Sequence, residues 1–405
     1  MSTSLLYHAW GSTTYDYLRS EYRGGAIYLH VAKKACFKAC VVCKSHAVTS
    51  EGSHVYTLRA LPIGNKRVFL VVHLDTLFCK DCGAVRQESR DIADPRKTYT
   101  RQFARYVLDL LEEMTMSAVA KRLHIGWDMV KDILRSALEH KAERRSWSAV
   151  RRIAIDEIAI QKGYKYLTVV VDLDTGQVLY TAPDNDKESL KMFFQRLRRS
   201  RAKLRAIAVD MSQAYASAIR DYWPKPVAVV HDHFHVVSNM NKVVEEVRRD
   251  EQNRLEAEGQ KTLKGARYLL LWAAERLAKD PDKKSRLDKM LAANDLLHKV
   301  YLLKEDLRMF WRQPSLAEAR SFVKQWVVDA LALGNKHMTR FATTVKKHLG
   351  TILAWYKHPI TSGPLEGLNN KIKVLKRKAY GYRDVHFFGL RLLFIHETKF
   401  SLSGV

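Results

Sequence analysis

RRIAIDEIAI, residues 151–160, sets a carboxylate into an apolar strand-like run. Two further β-branched runs follow, Tyr166 to Asp172 and Val178 to Thr181, joined by the hairpin signal Asp174-Thr175-Gly176. Ser189 to Ser200 has helical spacing. Ala206-Ile207-Ala208-Val209-Asp210 reads as a fourth strand ending on an acid, and Val227-Ala228-Val229-Val230 as a fifth, followed by His231-Asp232-His233-Phe234-His235. A charge in or just past a buried strand is costly unless paired or metal-bound. Asp156 and Asp210, on strands that can lie side by side, therefore point to a site for a hard divalent cation. Glu157 projects to the opposite face of its strand, so at most one of the Asp156–Glu157 pair serves. Asp172 and Asp174 read as turn residues.

Two such ions need a third acid. The best candidate is far downstream, in Thr361 to Lys373, where Pro364 suits the first helical position with Gly363 as cap. Glu366 then falls in the first helical turn. Asn369, Asn370, Lys373 and Arg377 share or adjoin its face by three-and-four spacing. With Lys371, Lys376 and Lys378 the helix offers one carboxylate, then amides and cations, as a phosphodiester beside a metal site requires.

The wording of these segments resembles the DDE transposases, and within them the ISL3 family of bacterial insertion sequences. RRIAIDEIAI, VDMSQAY, HDHFHVV and SGPLEGLNNKIKVLKRKAYG carry the likeness, which extends from LLYHAWG near the start to FIHETKF near the end. The resemblance implies an α/β ribonuclease-H-like catalytic domain with an all-α insertion. It implies that Asp156, Asp210 and Glu366 hold Mg²⁺ or Mn²⁺, with two ions roughly 4 Å apart bridging one scissile phosphate. Asp232 and His235 are expected near that centre, ordering it or touching DNA. The partners it implies are double-stranded DNA, as transposon ends and as target, and a second copy of the chain on DNA.

Composition agrees with a polyanion partner. The 405 residues carry a net charge of +26, which costs self-repulsion unless a polyanion offsets it. No run is long enough for a membrane span and no secretory signal is visible, so no membrane partner is expected; the resemblance implies a bacterial cytoplasmic, nucleoid-associated protein. Five cysteines, four of them in pairs, fit a reducing compartment. Cys40-x-x-Cys43 and Cys79-x-x-Cys82 are two knuckles that would close a tetrahedral structural Zn²⁺ site. Val55 to Leu61 and Val68 to Leu74 read as strands between them, around a Pro62-Ile63-Gly64-Asn65 turn, which makes a small zinc-ribbon β domain. Gly83 follows the second knuckle, whereas Lys44 occupies that place in the first. Cys36 is a spare thiol.

Thr100 to Glu113, Met116 to Ile125 and Trp127 to Leu138 read as helices, the last two as a helix-turn-helix with His124 in the turn, where a left-handed conformation is needed. Ala120, Leu123, Ile125, Val130, Ile133 and Leu134 would face its core. Trp127, Asp128, Lys131, Asp132 and Arg135 would be exposed; Trp127, Lys131 and Arg135 are the candidates to touch DNA, with Asn369, Lys373, Lys376 and Arg377 near the catalytic centre. Lys141 to Arg152 reads as a basic connector. Residues 236–358 are helical by pattern, and their tryptophans read as core. The expected divisions are 1–94 zinc ribbon, 95–145 helix-turn-helix, 146–237 first part of the catalytic core, 238–358 all-α insertion, and 359–405 the part carrying the Glu366 helix. Two rival readings remain: a DNA-binding regulator with an inert catalytic fold, and a nuclease that cuts without joining.

Overall fold

The computed structural model describes residues 5–161, 165–184, 186–258, 263, 265–361, 363–379 and 382–396, leaving aside the side chains at 161, 165, 213, 364, 366 and 378. Two compact units divide between residues 141 and 142.

The first unit opens with α1 (Leu5–Trp10), β1 (Tyr15–Arg23) and β2 (Ala26–Lys33). Then come β3 (Val48–Ile63), β4 (Lys66–Cys79) and the short β5 (Val85–Gln87). The strands form one sheet ordered β1-β2-β4-β3, with β5 on the end of β4. The two strands expected between the cysteine pairs are thus the middles of much longer ones. Residues 15–33 add two more strands, so the cysteine-bearing region is a larger sheet than a ribbon. Its seam is the alternation Val68, Leu70, Val72, Leu74 on β4, which packs with Leu6, Trp10, Ile27, Leu29 and Leu58. Gly64, at φ 57°, permits the two-residue turn between Ile63 and Lys66.

Three helices complete this unit: α2 (Arg101–Leu111), α3 (Met116–Leu123) and α4 (Trp127–Arg144), whose last turn enters the second unit. Thr100 and Thr115 cap the first two by accepting from the N–H groups of Phe103 and Ala118. His124 ends α3 in the left-handed region, φ 51° and ψ 51°. Arg59, buried in β3, donates to the carbonyls of Val68 (3.0 Å) and Leu123 (3.1 Å), tying the sheet to the C-terminus of α3. Burial holds its guanidinium below the usual value, with Arg67 adding to the effect.

The second unit is built on β6 (Arg152–Gln161), β7 (Lys165–Asp172), β8 (Val178–Pro183), α5 (Lys191–Arg199), β9 (Ala206–Val209), α6 (Gln213–Tyr222) and β10 (Ala228–His231). The sheet order is β10-β9-β6-β7-β8, with β6-β7-β8 antiparallel and β6, β9 and β10 parallel. Asp172 takes up the hairpin turn, accepting from the Asp174 N–H (3.1 Å) and the Thr175 hydroxyl (2.8 Å), while Arg152 pairs with Asp174. One face buries Ile153, Ile155, Val170, Ile207 and Val209 under Phe193, Phe194 and Leu197 of α5 and Ala218 and Ile219 of α6. The connector from 145 is part of this packing. Trp147 and Val150 are buried in it, and Arg145 donates to the carbonyl of Val178 (2.7 Å).

A helical region follows: α7 (His233–Ala257), α8 (Arg267–Leu271), α9 (Ala274–Leu277), α10 (Pro281–Ala292), α11 (Asp295–Met309), α12 (Leu316–Ala332), α13 (Lys336–Lys347) and α14 (Leu349–Leu353). Within this region, which reads as helical by pattern, helices stop at Leu271, Ala292 and Lys347. Asn294 stops one helix and caps the next by accepting from Leu297 N–H (2.8 Å). Lys304, fully buried, donates to the carbonyls of Leu270 (2.7 Å) and Trp272 (2.9 Å), satisfying the end of α8. Trp326 is core, its indole N–H donated to the Leu303 carbonyl (2.8 Å). Trp272, Trp311 and Trp355 are half-buried at the margin.

The chain then returns to the sheet with α15 (Gly363–Lys378) and α16 (Val385–Leu393). α15 buries Leu365, Leu368, Ile372 and Leu375, one stripe of three-and-four spacing. α16 lies so close on β8 that a Cβ on Gly389 would stand 2.5 Å from Thr181 Oγ1. Gly389→Ala should therefore destabilise the protein by about 1–3 kcal/mol in denaturant unfolding, as overpacking does. Pairing it with Thr181→Ala should restore most of the loss.

Candidate active site

The register of the parallel strands brings the acids level. Ala154 on β6 pairs with Ala208 on β9, so two residues further on Asp156 stands level with Asp210. On the other side of β9, His231 pairs with Val209, and the next step sets Asp232 beside Asp210. The Asp232 N–H donates to the Val209 carbonyl (3.1 Å), continuing the ladder. Three aspartates thus lie abreast across three adjacent strands, at the carboxyl ends of β9 and β10. Neighbouring strands are about 4.8 Å apart.

Asp156 is buried. Its Oδ1 accepts the Glu157 N–H (2.8 Å) and lies 3.9 Å from His235 Nε2, while its Oδ2 accepts from Asn369 Nδ2 (3.4 Å). Burial pushes its carboxyl above the ordinary value. The charge of Asp210 adds to that push, and the Glu157 N–H, His235 and Asn369 oppose it. Asp210 Oδ1 accepts the Ser212 N–H (2.9 Å), which fixes its side chain at the strand end. Glu157 projects to the other face, where its charge bears on the buried Tyr215 hydroxyl; burial is the main cause raising that hydroxyl's pKa.

α15 packs along β6 on the Asp156 face, with Asn369 against Asp156 and Lys376 Nζ 3.4 Å from the Ala159 carbonyl. Glu366 lies one turn before Asn369, in the first turn of this helix; its side chain falls outside the described residues. Thr361 Oγ1 accepts the Gly363 N–H (2.9 Å) at the helix start. Asn370, Lys373 and Arg377 are exposed, and Lys376 is half-buried. Asn369 Oδ1 is buried and, among the described residues, accepts no hydrogen bond. That orphan acceptor, beside a pair of like-charged carboxylates, fits a hydrated hard cation, which prefers carboxylate oxygens and keeps bound waters.

The three histidines after β10 go separate ways. His231 is buried, and its Nε2 shares a hydrogen bond with His348 Nδ1 (3.0 Å); burial, then the His348 charge, pushes its pKa down to about 4. His233 lies against Trp311, and His235 turns toward Asp156. Asp232 is 0% exposed at the start of α7, with His233 Nδ1 3.5 Å from its Oδ1.

In the first unit Cys40, Cys43, Cys79 and Cys82 offer sulfurs all within 4.8 Å of one another. Two of the edges are 3.7 Å (Cys40–Cys82) and 3.5 Å (Cys43–Cys79). Zn–S bonds of about 2.3 Å give tetrahedron edges of about 3.8 Å, so the cluster fits a zinc site with no open position. The two knuckles match: Lys44 N–H bonds to the Cys40 carbonyl (3.0 Å) and Gly83 N–H to that of Cys79 (2.9 Å). Lys44 takes φ 67° where Gly83 takes 70°, so the lysine accepts the glycine's conformation. The backbone N–H of Cys43 is the main influence pulling the Cys40 thiol down to about 6. Cys36 is exposed and outside the cluster.

On the helix-turn-helix, Trp127 is 44% exposed and Lys131 Nζ lies 5.6 Å from its ring centroid. Lys131 and Arg135 are half-buried rather than exposed, and Ile125 is likewise half-buried rather than core. Asp132 is taken up internally by Lys97 Nζ (2.8 Å) and the Tyr99 hydroxyl (2.7 Å), so it does not face a partner's phosphates.

Residues 153–392 match the ISL3-type family described as "Transposase", and residues 88–138 match the "Helix-turn-helix domain of transposase family ISL3". The chain belongs to the ISL3 family of transposases. It is 34% identical over 373 residues, 91% of each chain, to the transposase for insertion sequence element IS1001 of Bordetella parapertussis. It is 27% identical over 399 residues to that for IS1557 of Mycobacterium tuberculosis, covering 92% of this chain and 89% of the relative. A DDE transposase is an enzyme that cuts and transfers DNA with divalent metal, and the helix-turn-helix of an ISL3 transposase binds DNA. Among the described residues no helix is long and apolar enough to cross a membrane.

Two outcomes follow from this geometry. Metal analysis of the purified transposase should find about one zinc per chain, lost in Cys79→Ser; a folded, metal-free preparation would contradict the cluster's fit. An acid whose folded-state pKa is raised destabilises the fold once pH exceeds the ordinary carboxylate range. Asp156→Asn should therefore raise Tm at neutral pH in chelator, and Mn²⁺ should stabilise the parent but not the variant. A lowered Tm for the variant in chelator would show that the charge is already compensated by the protein.

Proposed function

We propose that this transposase binds the terminal inverted repeats of an insertion sequence, cleaves DNA at its ends and transfers the strands into target DNA by two-metal phosphodiester chemistry. The observation that carries the reading is the level placement of Asp156 and Asp210, with the helix bearing Glu366 packed along the same strand. The antiparallel β6-β7-β8 followed by parallel β9 and β10 supports a ribonuclease-H-like core. Residues 142–237 and 359–396 make up that core, with residues 238–358 as its all-α insertion.

Asp156, Asp210 and Glu366 are the ligands for Mg²⁺ or Mn²⁺. Bound there, such ions would activate water or a DNA 3′-hydroxyl and stabilise the departing oxygen. Asp156 is held for this task by the Glu157 N–H and Asn369, and Asp210 by the Ser212 N–H. His235 orients Asp156, and Asp232 adds a third negative group at the same level. Asn369, Lys373, Lys376 and Arg377 line the helix face leading away from Glu366 and bind the phosphates flanking the scissile one. No side chain forms a covalent link to DNA.

Trp127, Lys131 and Arg135 of α4 are the end-recognition residues, and Cys40, Cys43, Cys79 and Cys82 hold a structural Zn²⁺ that keeps the adjoining sheet in shape. Pairing two ends requires a homodimer on DNA.

A strand-transfer assay with a labelled terminal repeat and Mg²⁺ or Mn²⁺ tests this directly. Joined product is expected, with Asp210→Asn lowering joining at least about a hundredfold, the scale of losing one major electrostatic element of a site. Cleavage without joining would make the protein a nuclease. Binding alone would make it a regulator. Full joining by Asp210→Asn would refute the site.

A further inference from the structure

The second unit carries a strongly basic surface at the end of its sheet away from the acids. From Glu188 to Asp210 the chain has seven cations and no carboxylate between those two residues. Lys191 pairs with Glu188, and Arg196 donates to the backbone carbonyls of Glu143 (3.4 Å) and Arg145 (3.3 Å). The other five, Arg198, Arg199, Arg201, Lys203 and Arg205, are exposed, and among the described residues none meets a carboxylate. Several arginines elsewhere in this unit do: Arg248 with Glu245 (2.8 Å), Arg254 with Glu251 (3.0 Å), and Arg152 with Asp174. The five therefore form an uncompensated positive surface, which is the electrostatic footprint of a polyanion site.

Two structural details argue that these charges are placed rather than merely tolerated. Arg201 follows the C-cap of α5 at φ 59°, a left-handed position that glycine fills at least strain. An arginine there costs stability and gains a cation at the helix end. Beyond it, Arg201, Lys203 and Arg205 are exposed while Ala202 and Leu204 are buried, so a segment of two-residue period presents its cations on one side about 6.6 Å apart. That spacing supplies one charge for about every two phosphates along one strand of a duplex.

Arg205 directly precedes β9, and its carbonyl accepts the Ala228 N–H (3.0 Å) at the start of β10. Asp210 lies at the other end of β9, about 16 Å away along an extended chain. A phosphate held at Arg205 is thus out of reach of the acids. We propose that Arg198, Arg199, Arg201, Lys203 and Arg205 form a second duplex-DNA contact, which grips phosphates about five base pairs or more from the one being cut. The inference rests on the DNA-transposing function proposed above. It adds a surface that carries non-specific affinity and leaves recognition of the terminal repeat to α4.

The test uses the full-length protein with Arg198→Gln, Arg201→Gln, Lys203→Gln and Arg205→Gln combined. Affinity for a terminal-repeat duplex and for a random duplex is measured across a salt series. Each lost phosphate contact should reduce the salt slope by about 0.9, so a total fall of about 2–4 is expected. The ratio of repeat to random affinity should stay unchanged. Arg201→Gly supplies an independent readout: it should raise Tm, by relieving the left-handed strain, and weaken both duplexes. A parent protein that binds no duplex at low salt would overturn the transposition reading along with this one. A parent that binds, beside a folded variant with the same slope, would overturn this inference alone. So would Arg201→Gly lowering Tm with affinity unchanged, since that marks a structural residue.

Discussion

Two like-charged carboxylates set side by side at a buried strand level are the constraint around which the second unit is arranged. At strand spacing, with an effective dielectric constant near 20, their repulsion is about 3 kcal/mol. The fold answers with fixed donors: the Glu157 N–H and Asn369 on Asp156, and the Ser212 N–H on Asp210. Burial, with a smaller push from the charge of Asp210, still holds Asp156 above its ordinary pKa. A divalent cation relieves that repulsion more completely than any of them. Under the proposed function, that remaining cost is what a bound metal would offset.

The rest of the unit positions this pair. Parallel pairing of β9 with both β6 and β10 makes Asp156, Asp210 and Asp232 level, and parallel pairing requires the α6 crossover between β9 and β10. The face opposite the acids is closed by α5 and α6, so the open face is left to α15, whose apolar stripe seats it with Asn369 against Asp156. The buried His231 and the half-buried His348 share a hydrogen bond that pins the end of β10 to the start of α14, linking the helical region to the strand beside the acids. In the first unit Arg59 plays a comparable part, holding the turn between α3 and α4 against the sheet.

Local chemistry made much of this legible. The strand alternation around residue 155, the hairpin at Asp174 to Gly176, the left-handed His124 and the knuckle spacing each follow from short-range rules. Longer-range partnerships did not show. Ala26 to Val31 has strand-like character, but nothing local joins it to the sheet of the cysteine pairs until β4 supplies its partner strand. α6 is short and follows an acid-ended strand closely, yet the crossover rule demands it. The breaks near Trp272, Asn294 and His348 depend on caps and on a buried lysine, Lys304, whose partners lie more than thirty residues away in sequence. Asp132 looked like an acid on a DNA-facing helix because Lys97 and Tyr99, which neutralise it, belong to a different segment. Lys141 to Arg152 read as a basic connector, but Trp147 and Val150 make it part of the core.

The most direct test of the central claim is anomalous scattering from Mn²⁺ in crystals of the protein with a terminal-repeat duplex. The account predicts manganese between the carboxylates of Asp156 and Asp210, with the Glu366 carboxylate completing its protein ligands. Manganese absent from that position at saturating concentration, or bound there with Glu366 turned away, would contradict it.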